Sequence, residues 1–401
     1  MSHLRSLEKD RPTREWIESM RKCYPCETEI DRVLTRKMLL RAGPGYSPVS
    51  LETLVDGVNA LLRRHLPDEF RVSDAQWMTG GASKLQMSFV LDWNSPGAGR
   101  TKTPMVLRME PAASGIESSR MREYQMQRAL TGHVPVPPAY WVDVEGEFLP
   151  YPAIICGFVN GVTKPTGTDA RVSGTGATFP PDLGRVLGQQ FVDHMAAMHC
   201  LDWRNAGLDA FDAPATPLQS VEWQINWWER VWEEDANEDI PMLRLAMAWL
   251  RNNMPPVDHL SLVHGDFRTG NFLYDESNNR ITALLDWETA HIGDRHEDIF
   301  YMTTAPYRQF AADGKTEVIG GMLPAETFYE AYEKASGLPI IPATATFYRV
   351  LNSVKIASVA LGSCYRVARG GKTHQDVLVA WIMGVAYTVM DDLRATLEEV
   401  L

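Results

Sequence analysis

Leu262-Val263-His264-Gly265-Asp266-Phe267-Arg268-Thr269-Gly270-Asn271-Phe272-Leu273-Tyr274, with Ile281-Thr282-Ala283-Leu284-Leu285-Asp286-Trp287-Glu288 after it, is the stretch from which the fold of this chain is read. Its short apolar runs are expected to be strands, each presenting polar groups at an edge. Asp266 ends the first strand, Asn271 stands five residues on where the loop re-enters a strand, and Asp286 ends the next. A hairpin can bring all three to one end of a cleft. Asn271 and Asp286 offer hard oxygen ligands, with the Asp266 carboxylate beside them. A magnesium–nucleotide site with an alcohol acceptor requires such a set: oxygen ligands for the metal, and a group that takes the hydroxyl proton in line with the γ-phosphorus. Any one of these residues is equally explained as a turn former in a polar hairpin.

Upstream, the hydrophobic period changes in an informative order. Leu51, Leu54, Val55, Val58, Leu61 and Leu62 recur at helical spacing behind Ser50, a good N-cap. Leu85, Met87, Phe89, Leu91 and Trp93 then alternate with polar residues, as a half-buried strand does. Before that strand stands Trp77-Met78-Thr79-Gly80-Gly81-Ala82-Ser83-Lys84, and after it a Pro/Gly loop leads to Met105-Val106-Leu107-Arg108-Met109. The order is glycine turn, strand, loop, strand. A helix is expected over residues 116–130, and short extended segments over 134–142 and 152–159. The run 161–181, rich in Gly, Thr and Pro, reads as a loop or a cover over a site. Beyond it the chain turns helical. Trp223, Trp227, Trp228 and Trp232 form a stripe that is read first as core. The first fifty residues are charged, contain proline and end in the breaker-rich run 41–48, so they read as an extension joined by a linker.

Composition narrows the class. The chain has 401 residues, 45% hydrophobic and 22% charged, enough for two or three units with cores of their own. A net charge of -12 disfavours nucleic acid or an anionic membrane as the main partner. No apolar run reaches bilayer length, so a cytoplasmic protein is expected. Five scattered cysteines point to reduced thiols, and Cys23-Tyr24-Pro25-Cys26 has no second pair with which to hold zinc. Gly370-Gly371-Lys372-Thr373 looks like the end of a P-loop, but Arg366 occupies the earlier glycine position, and a turn between helices is the better reading.

The His-Gly-Asp run, the Asn five residues after Asp266 and the later Asp-Trp together resemble the aminoglycoside phosphotransferase and choline kinase family, itself similar to protein kinases. The resemblance runs from about Leu51 to the C-terminal helices. It implies an α+β, two-lobed, protein-kinase-like fold: residues 1–49 an N-terminal extension, 50–158 a small nucleotide-binding lobe with an antiparallel sheet, and 159–401 a larger, mainly helical lobe with the catalytic loop and substrate region. By the same resemblance Asp266 is the catalytic base, Asn271 and Asp286 hold magnesium, and His264 supports the loop. Gly80, Gly81 and Ser83 match the turn that covers the phosphates, where glycine lets backbone amides approach. Arg108 matches the basic residue of the third strand, usually Lys, and Glu123 its partner on the next helix. Cys156 and Phe158 fall in the hinge whose backbone contacts adenine. His199 matches a structural histidine, and Asp294 and Asp298 match groups that brace the metal loop.

The implied activity is that of a phosphotransferase with an alcohol acceptor: ATP and Mg2+ as cofactors, a small-molecule hydroxyl as substrate, and neither nucleic acid nor membrane as partner. The glycine turn, the Val-Leu-Arg strand and the His-Gly-Asp-Phe-Arg segment look most like the branch related to kinase domains fused to acyl-CoA dehydrogenases. That branch suggests a hydroxyacyl-CoA or another catabolic alcohol, and the Trp- and Met-rich helices would suit an apolar acceptor. The alternatives are an aminoglycoside kinase, for which the acidic run Glu233, Glu234, Asp235, Glu238 and Asp239 speaks unless it is a solvated face, and a catalytically silent nucleotide-binding pseudokinase.

Overall fold

A computed structural model describes residues 8–78, 84–166, 179–311 and 313–401. The glycine turn with Gly80, Gly81 and Ser83, and most of the Gly/Thr/Pro run, lie outside the described residues. Five antiparallel strands form one sheet in the order β1-β2-β3-β5-β4: β1 Arg71–Trp77, β2 Leu85–Ser95, β3 Gly99–Met109, β4 Ala139–Asp143 and β5 Ala153–Gly157. The alternation in β2 is real, since Leu85, Met87, Phe89, Leu91 and Trp93 are all buried. They pack with Leu54, Val58, Leu61 and Leu62 of the helix Leu51–His65 into one core beneath the sheet. That helix starts where Ser50 accepts a hydrogen bond from the Thr53 amide at 3.0 Å.

The helix expected over 116–130 begins only at Arg120. Ser119 caps it, and the residues before it bind Lys84 instead, whose Nζ donates to the Ile116 carbonyl at 3.1 Å. The remainder of the chain is built mainly of helices around a second core. Trp227, Trp228 and Trp232 lie inside it, so they are core and cannot wall an acceptor site. Two small antiparallel pairs cross this region: β6 Leu260–Val263 with β9 His291–Asp294, and β7 Phe272–Asp275 with β8 Arg280–Leu284. The decisive stretch is thus two pairs rather than one hairpin. β6 takes its partner from beyond Asp286.

The first fifty residues hold two helices, Arg14–Cys23 and Thr28–Leu39. Ile30 and Leu34 enter the larger core, while buried Arg122 reaches Glu27 at 2.7 Å and Arg230 reaches Asp31 at 2.6 Å. Within the acidic run, Glu234 and Asp235 are not on a solvated face. Both are buried, Glu234 on Arg230 and Lys37, Asp235 on Lys37 and Arg41. No helix among the described residues is long and apolar enough to cross a membrane.

Candidate active site

The loop between β6 and β7 turns sharply at Gly265, whose φ is +79°. A Cβ there would stand 2.8 Å from the Thr289 carbonyl oxygen, so only glycine fits. The turn is clamped from both sides. Asp298 accepts from the amides of His264 at 2.7 Å and Gly265 at 2.8 Å, and it also meets His199 Nε2 at 3.2 Å. Thr289 donates to the His264 carbonyl, and the ammonium of Lys355 donates to the Gly265 carbonyl at 2.5 Å. His264 Nδ1 accepts from the Asp266 amide at 3.2 Å, which leaves its Nε2 to donate to the Leu285 carbonyl at 2.8 Å. One imidazole thereby ties the loop of Asp266 to the strand end that carries Asp286.

Asp266 is held by both oxygens. Arg268 Nε donates to Oδ1 at 2.9 Å, and Asn271 Nδ2 donates to Oδ2 at 2.7 Å and to the Asp266 carbonyl at 3.0 Å. Because the Asn271 NH2 is spent on Asp266, its Oδ1 is the amide atom left to meet a cation. Tyr301 hydrogen-bonds Asp266 and stacks on Tyr307, and the Arg268 guanidinium lies 5.0 Å from the Tyr307 ring centroid. Burial, then the Asp266 charge, push the Tyr301 phenol well above its ordinary range, so it stays a neutral donor.

Asp286 has left-handed backbone, φ 62° and ψ 57°, which turns the chain out of β8. Its Oδ1 accepts from Arg108 Nη2 at 2.5 Å, and Arg108 Nη1 donates to Glu123 at 2.6 Å. Burial would raise the Asp286 carboxyl, but Arg108 outweighs it and holds the group below the usual carboxylate range. Arg108 and Glu123 are therefore paired as their positions imply. Glu123 is fully buried, which excludes a solvated helix carboxylate. The donor set fits a hard divalent cation: the Asp286 carboxylate, 41% exposed, and the Asn271 Oδ1.

Sequence reasoning missed Lys84. It is 1% exposed, and its Nζ donates to Glu110 at 2.7 Å and lies 3.3 Å from Glu288. Arg120 joins Glu110 to Glu123, so a buried chain of ion pairs runs from Lys84 to Arg108. Burial pushes the Glu110 carboxyl up, yet Arg120 and Lys84 prevail and bring it down to about 2. At the hinge, β5 ends at Gly157, within the extended segment expected there. The amides of Gly157 and Phe158 donate to the Pro138 and Pro104 carbonyls at 2.8 and 2.9 Å. Cys156 lies between two strands with Sγ on Gln127, so Cys156 and Phe158 have no amide to spare for a base. Asp298 does brace the loop, whereas Asp294 serves His296 and Tyr348. His199 is held between Asp298 and Tyr332, and Gly371 turns between two helices.

A small antiparallel sheet over a helical body, with a carboxylate loop and an Arg–Glu–Asp bridge between them, is the architecture of a kinase-like phosphotransferase. The chain belongs to the phosphotransferase enzyme family, whose model matches residues 89–344. Acyl-CoA dehydrogenase family member 11 of Pongo abelii is 25% identical over 285 residues, covering 68% of this chain and 35% of that protein. The chain thus spans about a third of that relative's length. A candidate aminoglycoside phosphotransferase from Ralstonia eutropha shares the fold with a TM-score of 0.60 at 24% identity, over 86% of this chain and 98% of its own. An ethanolamine kinase of Plasmodium vivax shares it with a TM-score of 0.52 at 13% identity, over 92% and 97%.

Proposed function

We propose that this chain is an ATP-dependent kinase that phosphorylates a hydroxyl of a small molecule, a hydroxyacyl-CoA or another catabolic alcohol. The carrying observation is the separation of duties around Asp266. Its carboxylate is oriented by Asn271 and Arg268, while the Arg108 bridge engages Asp286 and leaves Asp266 apart. Asp266 then orients the acceptor hydroxyl and takes its proton as the oxygen attacks the γ-phosphorus of ATP and the bond to the β-phosphate oxygen breaks. Magnesium, when bound, supplies positive charge for the oxygens of the transferring group. Asn271 and Asp286 are the residues to hold it. Arg108, positioned by Glu123, offers its planar guanidinium to the α- and β-phosphates. Beyond Phe158, where the sheet ladder ends, the connection to the helical lobe offers its backbone to the base.

The surroundings of Asp266 support a reading of the acceptor class. Among the described residues a guanidinium and two phenols stand there, from Arg268, Tyr301 and Tyr307, rather than the row of carboxylates that a polycation demands. Two members of the acidic run, Glu234 and Asp235, are consumed in buried ion pairs. Both observations support a neutral or anionic acceptor. A screen of ATP consumption against hydroxyacyl-CoA, simple alcohol and aminoglycoside panels tests this. Transfer to a member of the first two groups is expected. Preferred transfer to aminoglycosides would reject the acceptor class, and ATP binding without transfer to any acceptor would favour a silent nucleotide binder.

A further inference from the structure

Away from the Asp266 site, a cavity of about 510 Å3 opens between the end of the helix Thr28–Leu39, the loop after β3, the segment 145–152 and the turn 366–372. Six cationic side chains line it: Arg36, Lys37, Arg41, Arg366, Arg369 and Lys372. None of Asp266, Asn271, Asp286 or Arg108 does. The Gly-Gly-Lys turn that resembles the end of a P-loop is therefore the rim of a basic pocket.

The carboxylates of the wall offset the inner cations, Arg36, Lys37 and Arg41, but leave the three cations of the turn, Arg366, Arg369 and Lys372, with one carboxylate to share among the described residues, Asp10. Asp235 is consumed by Lys37 and Arg41, Glu145 by Arg32 and Arg36, and Glu110 by Lys84 and Arg120. Glu117 accepts from the Ser114 amide, and its carboxyl is pushed up by burial and by Glu110. Arg366 and Arg369 both pair with Asp10, and Arg369 Nη1 also donates to Asn237 at 2.9 Å. Among the described residues Lys372 Nζ meets only two carbonyl oxygens, of Gly43 and Pro44, both at 2.6 Å. Arg366 is the telling residue. Its side chain is 6% exposed, its Nε donates to the Asp235 carbonyl at 3.1 Å and its Nη1 to Asp10, yet its buried Nη2 has no acceptor among the described residues. A buried guanidinium N–H without a partner is uncommon, and an oxyanion would complete it.

We propose that this cavity binds a phosphorylated small molecule, with its phosphate between Arg366, Arg369 and Lys372. Phosphate suits the site because it offers several acceptor oxygens and up to two charges to a fork donor and neighbouring cations. The cavity is far larger than a lone phosphate and within the range of metabolite sites. Its remaining walls, among them Leu40, Pro111, Tyr151 and Val367, are suited to an organic body. Burial and the Arg41 charge lower the affinity of both Arg366 and Lys372 for their protons, as expected where positive charge awaits a counterion.

Calorimetry on the full chain, with Mg-ATP present at saturation to keep probes out of the nucleotide cleft, tests the assignment. The probes are ribose 5-phosphate, fructose 1,6-bisphosphate, inorganic phosphate and free ribose. One sugar phosphate or both should bind with one-to-one stoichiometry, at least about tenfold tighter than inorganic phosphate, and ribose should not bind. Lys372→Met, at a partly exposed turn, should weaken that binding about tenfold with the melting temperature unchanged, and Arg366→Met should weaken it further. Sugar phosphates no tighter than inorganic phosphate would overturn the organic ligand. Absence of binding by all probes, or affinity unaffected in Lys372→Met, would overturn the site.

Discussion

Arg108 is where the sheet and the helical body meet through single side chains. Its guanidinium bridges Glu123 at 2.6 Å and Asp286 at 2.5 Å, a task for a planar fork that an ammonium cannot perform with the same geometry. Arg108→Ala is accordingly expected to weaken ATP binding, measured by calorimetry, and Arg108→Lys to retain part of it. An unchanged affinity in the Ala variant would remove Arg108 from the nucleotide site. Asp286→Asn isolates charge from backbone, because Asn accepts the left-handed conformation at φ 62° as Asp does. It should keep the melting temperature close to wild type while a magnesium titration of nucleotide affinity flattens; a wild-type titration would reject Asp286 as a metal ligand. Asp286 was singled out by the spacing of its motif, and Arg108 by the family resemblance of its strand. Lys84 was not, because its partners Glu110, Ser114 and Glu288 are scattered along the chain and only folding brings them together.

Among the elements, those with one buried face announced themselves and those held by polar contacts did not. The alternation of β2 and the capped helix behind Ser50 are written in apolar periodicity. β1, Arg-Val-Ser-Asp-Ala-Gln-Trp, has no such alternation and a largely exposed surface, and Asp74 at φ 55° interrupts its register, so no pattern betrayed it. The two N-terminal helices were concealed by charge, because Glu27, Asp31 and Lys37 are used in buried or half-buried ion pairs rather than displayed to solvent. The loop carrying Asp266 depends on another long-range device. Asp298, fully buried, accepts from two loop amides and meets His199, so Asp298→Ala leaves donors without a partner. The expected cost is about 3 kcal/mol of unfolding free energy, measured by denaturant titration, with a fall in turnover because the loop loses its clamp. A change under about 0.5 kcal/mol would show that the clamp is dispensable.

At the scale of the molecule, a chain of net charge -12 keeps many carboxylates ionised inside, and this makes its stability acid-sensitive. Burial would raise the Glu297 carboxyl, but Lys355 at 2.6 Å and His291 at 3.3 Å bring it down from 4.5 to about 2. A carboxyl whose pKa is lower folded than unfolded contributes stability that is fully present above the unfolded value and lost as pH falls through the folded one. The melting temperature should therefore decline between about pH 4.5 and 2, and Glu297→Gln should show a shallower decline over that window; an unchanged slope would remove Glu297 as a contributor. The relation of both lobes to one reaction rests on Asp266, oriented by Asn271 and Arg268 and fixed by a loop that both β6 and the helix carrying Lys355 hold. Asp266→Asn preserves size and fold but cannot accept the proton. Mg-ATP affinity by calorimetry, set beside phosphoryl transfer to the best acceptor of the screen, is the decisive measurement. Affinity within a few-fold of wild type with turnover lowered roughly 100-fold or more is the predicted result, and turnover within a few-fold of wild type would contradict the account.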